Sequence, residues 1–141
     1  MKKVNNDIAY TCNGGKMVKT VMVVDDDPSI IYTVKQGLEG LYADYKVISA
    51  ESGKKCLDLL GKRQIPDVIL LDIMMPDMSG WETLDKIKKN PSWKNIPVVF
   101  LTARTDRVAK DAGGFLAEDY IEKPFKIPEL KQRIDRVLKT K

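Results

Sequence analysis

Short apolar runs alternate along the chain with segments in which hydrophobic residues return every third or fourth position. The run Thr20–Val24, TVMVV, predicts a first strand. Pro28 suits the first turn of a helix, where its missing N–H costs nothing, and Asp27 is placed to cap it. Ile30, Ile31, Val34, Leu38 and Leu41 form the apolar face of that helix. YKVIS predicts a second strand and SGKKCLDLLGK a second helix. DVILLD predicts a third strand, apolar enough to be buried on both faces. Ser79 and Glu82 have capping-box spacing ahead of Leu84 and Ile87, so a third helix starts near Gly80, and Pro91 closes that unit. IPVVFLTA predicts the fourth strand. The segment after it, RTDRVAKDAGGFLAED, has only a weak helical pattern, broken at Gly113-Gly114. YIEKPF predicts a short fifth strand, and a last helix from near Pro128 is expected to bury Ile127, Leu130, Ile134, Val137 and Leu138.

Five β/α units in series predict an α/β fold, a doubly wound parallel sheet with helices on both faces. Residues 1–17 are polar and contain Asn13-Gly14-Gly15, which predicts a flexible leader; residues 18–141 fit one domain with a single core.

Composition removes several kinds of chemistry. The chain has no histidine, which excludes Ser-His-Asp and Cys-His catalysis, His-ligated zinc and a phosphohistidine carrier. Cys12 and Cys56 match no metal-ligand spacing, and Cys56 in KKCLDLL falls at an apolar helical position, as a reduced core thiol would. The net charge of +4 is interleaved with acids, as in KQRIDRVLKTK, so nucleic-acid binding is not expected. No apolar run approaches the roughly 20 residues that cross a bilayer, and the N-terminus lacks an apolar signal core. A cytoplasmic protein without membrane insertion is therefore expected.

The candidate chemistry lies where the strands end. The first runs into Asp25-Asp26, the third ends on Asp72, the fourth on Thr102, and the fifth is followed by Lys123-Pro124. In a parallel sheet these ends share one edge, the edge at which ligands of such folds bind. Singly, each residue reads as a loop acid, a helix cap or a solvated lysine. Together they make a cleft of three carboxylates, a hydroxyl and an ammonium.

VVDDDP, LLDIMMPDMSG, LTAR and YIEKPF resemble the receiver domain of two-component response regulators, in order and at close to the family's spacing. The resemblance covers about residues 18–139. It implies a flavodoxin-like receiver fold with strand order 2-1-3-4-5. Three clustered carboxylates suit a hard divalent cation with retained waters. The resemblance implies Mg2+ held directly by Asp26 and Asp72, through water by Asp25, and by the backbone carbonyl of Met74. Asp27 is better read as a helix cap. The resemblance makes Asp72 the phosphoacceptor, with Lys123 supplying charge, Thr102 a hydroxyl, and Ala103 leaving room for the phosphoryl group. Pro124 matches the family's cis-proline and Tyr120 its aromatic switch, a reading favoured over the alternative of a half-buried strand tyrosine. Met74 and Arg104 are expected to flank the path of a hydrolytic water and slow loss of the phosphoryl group.

One run departs from the family. Leu116-Ala117-Glu118-Asp119-Tyr120 stands where receivers usually read Gly-Ala-Asp-Asp-Tyr, so the fourth helix and its partner surface are carried over least directly. Without histidine, the phosphodonor is expected to be a histidine kinase or a histidine phosphotransfer protein. Output is expected through protein contact, with phosphorylation-dependent dimerisation as one form of it, and the downstream target is not readable. A Mg-dependent phosphohydrolase with an aspartyl nucleophile is the first alternative, but such enzymes place a second acid two residues on, where this chain has Met74. A non-phosphorylated, receiver-like binding module is the other. Beyond its own phosphorylation and dephosphorylation, no enzymatic activity is expected.

Overall fold

The computed structural model describes residues 12–13, 16–103 and 117–139. Strands β1 (Lys19–Val24), β2 (Tyr45–Ala50), β3 (Val68–Asp72), β4 (Val98–Thr102) and β5 (Asp119–Glu122) form one five-stranded sheet in the order 2-1-3-4-5. Every neighbouring pair is parallel. Helices α1 (Pro28–Leu41), α2 (Gly53–Gly61), α3 (Gly80–Lys89) and α4 (Ile127–Lys139) connect and flank it. The weak helical pattern expected after β4 falls largely on 104–116, outside the described residues. Within the expected leader, Cys12–Asn13 pair antiparallel with Lys16–Met17; residues 1–11 and 14–15 lie outside the description.

Alternation along the strands sorts the side chains into two cores. Met22, Val24, Ile69, Leu71, Val98 and Phe100 face α2 and α3, packing on Cys56, Leu60, Leu84 and Ile87. Val21, Val23, Val68, Leu70, Val99 and Leu101 face α1 and α4, packing on Val34, Leu38, Leu130, Ile134 and Val137. Each residue of β3 and β4 is buried, as a central strand with helices on both faces requires. Trp81 and Trp93 pack half-buried against the first core. Burial pushes the Cys56 thiol up to about 12, so it is protonated and inert at neutral pH. No helix of the described residues is long and apolar enough to cross a membrane.

The helix starts follow their predicted caps. The Asp27 carboxylate accepts from the Ser29 N–H at 2.9 Å and so caps α1. Ser79 and Glu82 make the reciprocal capping box of α3. One core assignment is corrected: Leu41 is 65% exposed. Helix α1 ends at Leu41, and Tyr42, in extended conformation, packs on the core in its place.

Helix α2 ends in a paired closure that the sequence does not advertise. The N–H of Gln64 donates to the Leu59 carbonyl and that of Arg63 to Leu60, both at 3.0 Å, a Schellman pattern. Arg63 takes φ 66°, a left-handed conformation that costs a residue with a Cβ roughly 1–2 kcal/mol. Glycine avoids that strain but loses about 0.5–1 kcal/mol in chain entropy. Arg63→Gly is therefore expected to stabilise the fold by up to about 1 kcal/mol. Urea unfolding should show a higher midpoint with an unchanged slope.

Candidate functional site

Three consecutive acids leave β1, and the structure gives them three environments. Asp25 is fully buried. Its Oδ1 accepts the Asp27 N–H at 2.9 Å, and its Oδ2 accepts from Lys123 Nζ at 2.8 Å. Asp26 is exposed. Asp27 is turned away into its cap, where it accepts from both the N–H and the hydroxyl of Ser29. Those Ser29 bonds hold its carboxyl below the usual range.

Asp72 closes β3 and is buried. The same Lys123 ammonium donates to its Oδ1 at 3.2 Å. Lys123 thus bridges the ends of β1 and β3, and Asp25, Asp26 and Asp72 each offer an oxygen within 4.8 Å of the others. Two carboxylates about 4 Å apart repel by roughly 4 kcal/mol at an effective dielectric of 20. Fully burying Leu70 and Leu71, just before Asp72, contributes roughly 1.5–3 kcal/mol each, so the strand holds its acid there against that repulsion.

Burial, followed by the charge of Asp25, pushes the Asp72 carboxyl up to about 6 despite the neighbouring ammonium. Burial works against the charge on Lys123, but its bonds to Asp25 and Asp72 outweigh this and hold its pKa above the usual lysine value. Thr102 is buried at the end of β4, and its carbonyl accepts the Lys123 N–H at 2.7 Å. The main chain therefore sets the hydroxyl-bearing and ammonium-bearing residues side by side. The Lys123–Pro124 peptide is cis.

Tyr120 is buried on the α2/α3 side, its ring 5.5 Å from that of Phe100, which lies 4.8 Å from Trp81. The Met74 side chain is 67% exposed. Ala103 is also exposed. Arg104 lies outside the described residues.

Several supports of the site escaped the sequence reading. From its spacing Gly80 marks only a helix start. A Cβ there would stand 2.3 Å from the Asp72 carbonyl oxygen and 2.8 Å from Ile73 Cα. Its N–H donates to the Ile73 carbonyl at 2.7 Å, so α3 is seated on the main chain of Asp72 itself. A glycine at the first position of a helix, where it weakens propensity, was the available signal. In the intervening loop, the Met78 N–H donates to the Pro76 carbonyl at 2.8 Å, a γ-turn with Asp77 at φ 68°. Arg133 on α4 grips Asp119 through two bonds of 2.7 Å and donates to the Tyr120 carbonyl at 2.7 Å. No local spacing announces that pair. Burial works against the Asp119 carboxylate, but the Arg133 bond prevails and holds its pKa below the usual value.

An acidic pocket with a lysine reaching into it, at the carboxyl edge of a 2-1-3-4-5 sheet, defines a receiver-type α/β module. The family model described as "Response regulator receiver domain" matches residues 21–135, and the chain belongs to that family. It is 42% identical, over 86% of its length, to a protein of Vibrio cholerae named "Probable cyclic di-GMP phosphodiesterase", of which it spans 27%. It is 39% identical, over 85% of its length, to "Probable transcriptional regulatory protein TcrX" of Mycobacterium tuberculosis, of which it spans 50%. The chain therefore covers half or less of the length of these relatives. Among solved structures it is similar to the N-terminal domain of a response regulator receiver protein from Methanoculleus marisnigri. That match has a TM-score of 0.67 and 42% identity, covering 85% of this chain and 96% of the other. Membership places the chain among modules of phosphorylation-controlled two-component signalling.

The raised Asp72 carboxyl has a consequence for stability. An aspartate in the unfolded chain titrates near 3.8, and Asp72 in the fold near 6. Between these values the folded state holds a proton that the unfolded state has released, so stability falls as pH rises through this window. Asp72→Asn carries no such charge. With a chelator present, it is expected to melt above wild type at about pH 7, and the difference is expected to shrink towards about pH 4. Thermal unfolding across that range checks this; a constant difference would oppose it.

Proposed function

We propose that residues 18–141 act as a phosphorylation-controlled switch that accepts a phosphoryl group on Asp72 in a Mg2+-dependent reaction. The observation that carries this reading is the Lys123 ammonium set between Asp25 and Asp72, with Asp26 open beside them. An Asp72 oxygen attacks phosphorus, and the phosphorus–nitrogen bond of a donor phosphohistidine breaks. The donor imidazole leaves, and an aspartyl phosphate remains.

Asp26 and Asp72 would hold the ion directly, with the Met74 carbonyl. Asp25 would act through water, which agrees with both of its oxygens being engaged already. Bound there, magnesium supplies positive charge against the phosphoryl oxygens. Lys123 supplies the second charge, and Thr102 donates its hydroxyl. A histidine kinase or a histidine phosphotransfer protein serves as donor, because the chain has no histidine of its own. Tyr120 carries the change to a protein surface.

Asp72→Asn is expected to abolish acid-labile phosphorylation from acetyl phosphate, and Asp26→Asn to weaken Mg2+ binding and slow the reaction. At 100 times its dissociation constant, an ion that binds only the fold adds about 2.7 kcal/mol. The unfolding midpoint should therefore rise with Mg2+ in wild type and much less in Asp26→Asn. Labelling of Asp72→Asn at the wild-type rate would refute the assignment.

The lifetime of the phosphorylated state supplies a separate measurement. Met74 is apolar and exposed beside the site, and Arg104 cannot act as a base at neutral pH. Slow self-dephosphorylation is therefore expected. A Met74→Asn, Arg104→Glu double variant should lose phosphate about tenfold faster, equal to roughly 1.4 kcal/mol off the barrier. An unchanged rate would remove both residues from this role and leave the phosphoacceptor assignment standing.

A further inference from the structure

Helix α1 carries Gly37 and Gly40, and their surroundings differ. A Cβ at Gly40 would meet nothing within 4 Å. One at Gly37 would stand 2.4 Å from Ile127 Cδ1, 2.5 Å from Cγ1 and 3.2 Å from Cγ2. Carbon atoms pack best at about 3.5–4.0 Å, so Ile127 occupies the place that a side chain at position 37 would take. Glycine inside a helix weakens it. At Gly37 the missing side chain leaves a notch in α1, and Ile127 fills it.

Ile127 opens α4 and packs half-buried on the second core. The connector that leads to it begins at Lys123 and is held at both ends. At its start the Lys123 N–H donates to the Thr102 carbonyl at 2.7 Å. Midway, Phe125 packs half-buried on the same core. At its end, Ile127 sits in the notch. The helix that carries the notch is tied to the acids in turn: α1 starts from the Asp27 cap, and the Asp27 N–H donates to Asp25 Oδ1 at 2.9 Å. Asp25 is the carboxylate that Lys123 touches at 2.8 Å. Helix α1 thus joins the two sides of that ion pair by a second route, made of apolar contact.

We infer that Gly37 and Ile127 are positioning residues for Lys123: the notch fixes where α4 begins, and so where the connector presents the ammonium to Asp25 and Asp72. The inference rests on Lys123 assisting phosphoryl transfer to Asp72. Such transfer depends on placement, and a misplacement of about 1 Å can cost on the order of a hundredfold in rate.

The test makes the same substitution at both glycines of the full chain. Gly40→Ala, which only strengthens the helix, is expected to raise the unfolding midpoint and to leave both the Lys123 side-chain NMR signal and labelling by acetyl phosphate unchanged. Gly37→Ala collides with Ile127. It is expected to move the Lys123 signal and to slow labelling about tenfold at saturating Mg2+, while the Mg2+ dissociation constant changes less than about twofold. Gly37→Ala combined with Ile127→Ala, which clears the collision, should recover most of the rate even if the single variant folds poorly. In a Lys123→Ala background, Gly37→Ala should slow labelling no further. Equal effects at the two glycines, an equal loss with and without Lys123, or no recovery in the combined variant would overturn the inference. Labelling that survives Asp72→Asn would instead overturn the phosphoacceptor reading, and the Lys123 signal would still decide the geometry.

Discussion

The Lys123 ammonium between Asp25 and Asp72 is the interaction on which the rest of this structure turns. Asp25 is wholly buried and Asp72 nearly so. A buried carboxylate without a partner is expensive, and two of them side by side repel as well. One cation touching both, at 2.8 and 3.2 Å, makes the edge tenable. That cation comes from a residue 51 positions beyond Asp72 in the chain. It reaches the cleft only if β5 lies beside β4 in the observed register, with the Lys123 N–H on the Thr102 carbonyl. The electrostatics of the site and the order of the sheet are therefore one constraint.

Asp25, Asp26 and Asp72 are close, yet their surroundings divide the work. Asp25 has both oxygens occupied and acts as a fixed anchor for Lys123. Asp26 faces solvent beside the two buried acids. Asp72 lies between, buried enough to raise its proton affinity and near enough to Lys123 to remain usable as an anion at neutral pH. Loop geometry reinforces this division. The turn at Asp27 draws the third acid into a cap, and Gly80 lets α3 rest on the Asp72 main chain without a Cβ between them.

Much of this was legible in the chain because its signals are local. Strand-length apolar runs, the Ser79–Glu82 capping box and the Asp27 cap lie within a few residues of what they specify, and each appears where expected. The acids, hydroxyl and lysine at the strand ends were legible because parallel topology sends all such ends to one edge. What stayed hidden depends on contacts across the fold. Arg133 meets Asp119 only when α4 crosses β5, and no spacing in the sequence encodes that meeting. Arg63 in a left-handed closure looks like any surface arginine. Leu41 matched the helical period, but a helix ends by hydrogen bonding as well as by period, and the half-buried Tyr42 packs on the core instead.

Tyr120 is held in two separable ways. Its main chain is fastened from the α4 side, by Arg133 on the carbonyl and Asp119 on the N–H. Its ring lies in the opposite core, against Phe100 and, through it, Trp81. An aromatic contact of this kind is worth about 0.5–1.5 kcal/mol beyond the area it buries. Moving the ring therefore gives up aromatic contacts and buried area, while the charged clamp on the main chain and the β4–β5 ladder stay intact. The same ladder carries Thr102 and the Lys123 N–H that bonds to it. Thr102, the Lys123 N–H and Tyr120 are thus joined along one pair of strands, with the Tyr120 ring in one core and its main-chain clamp on the other side of the sheet.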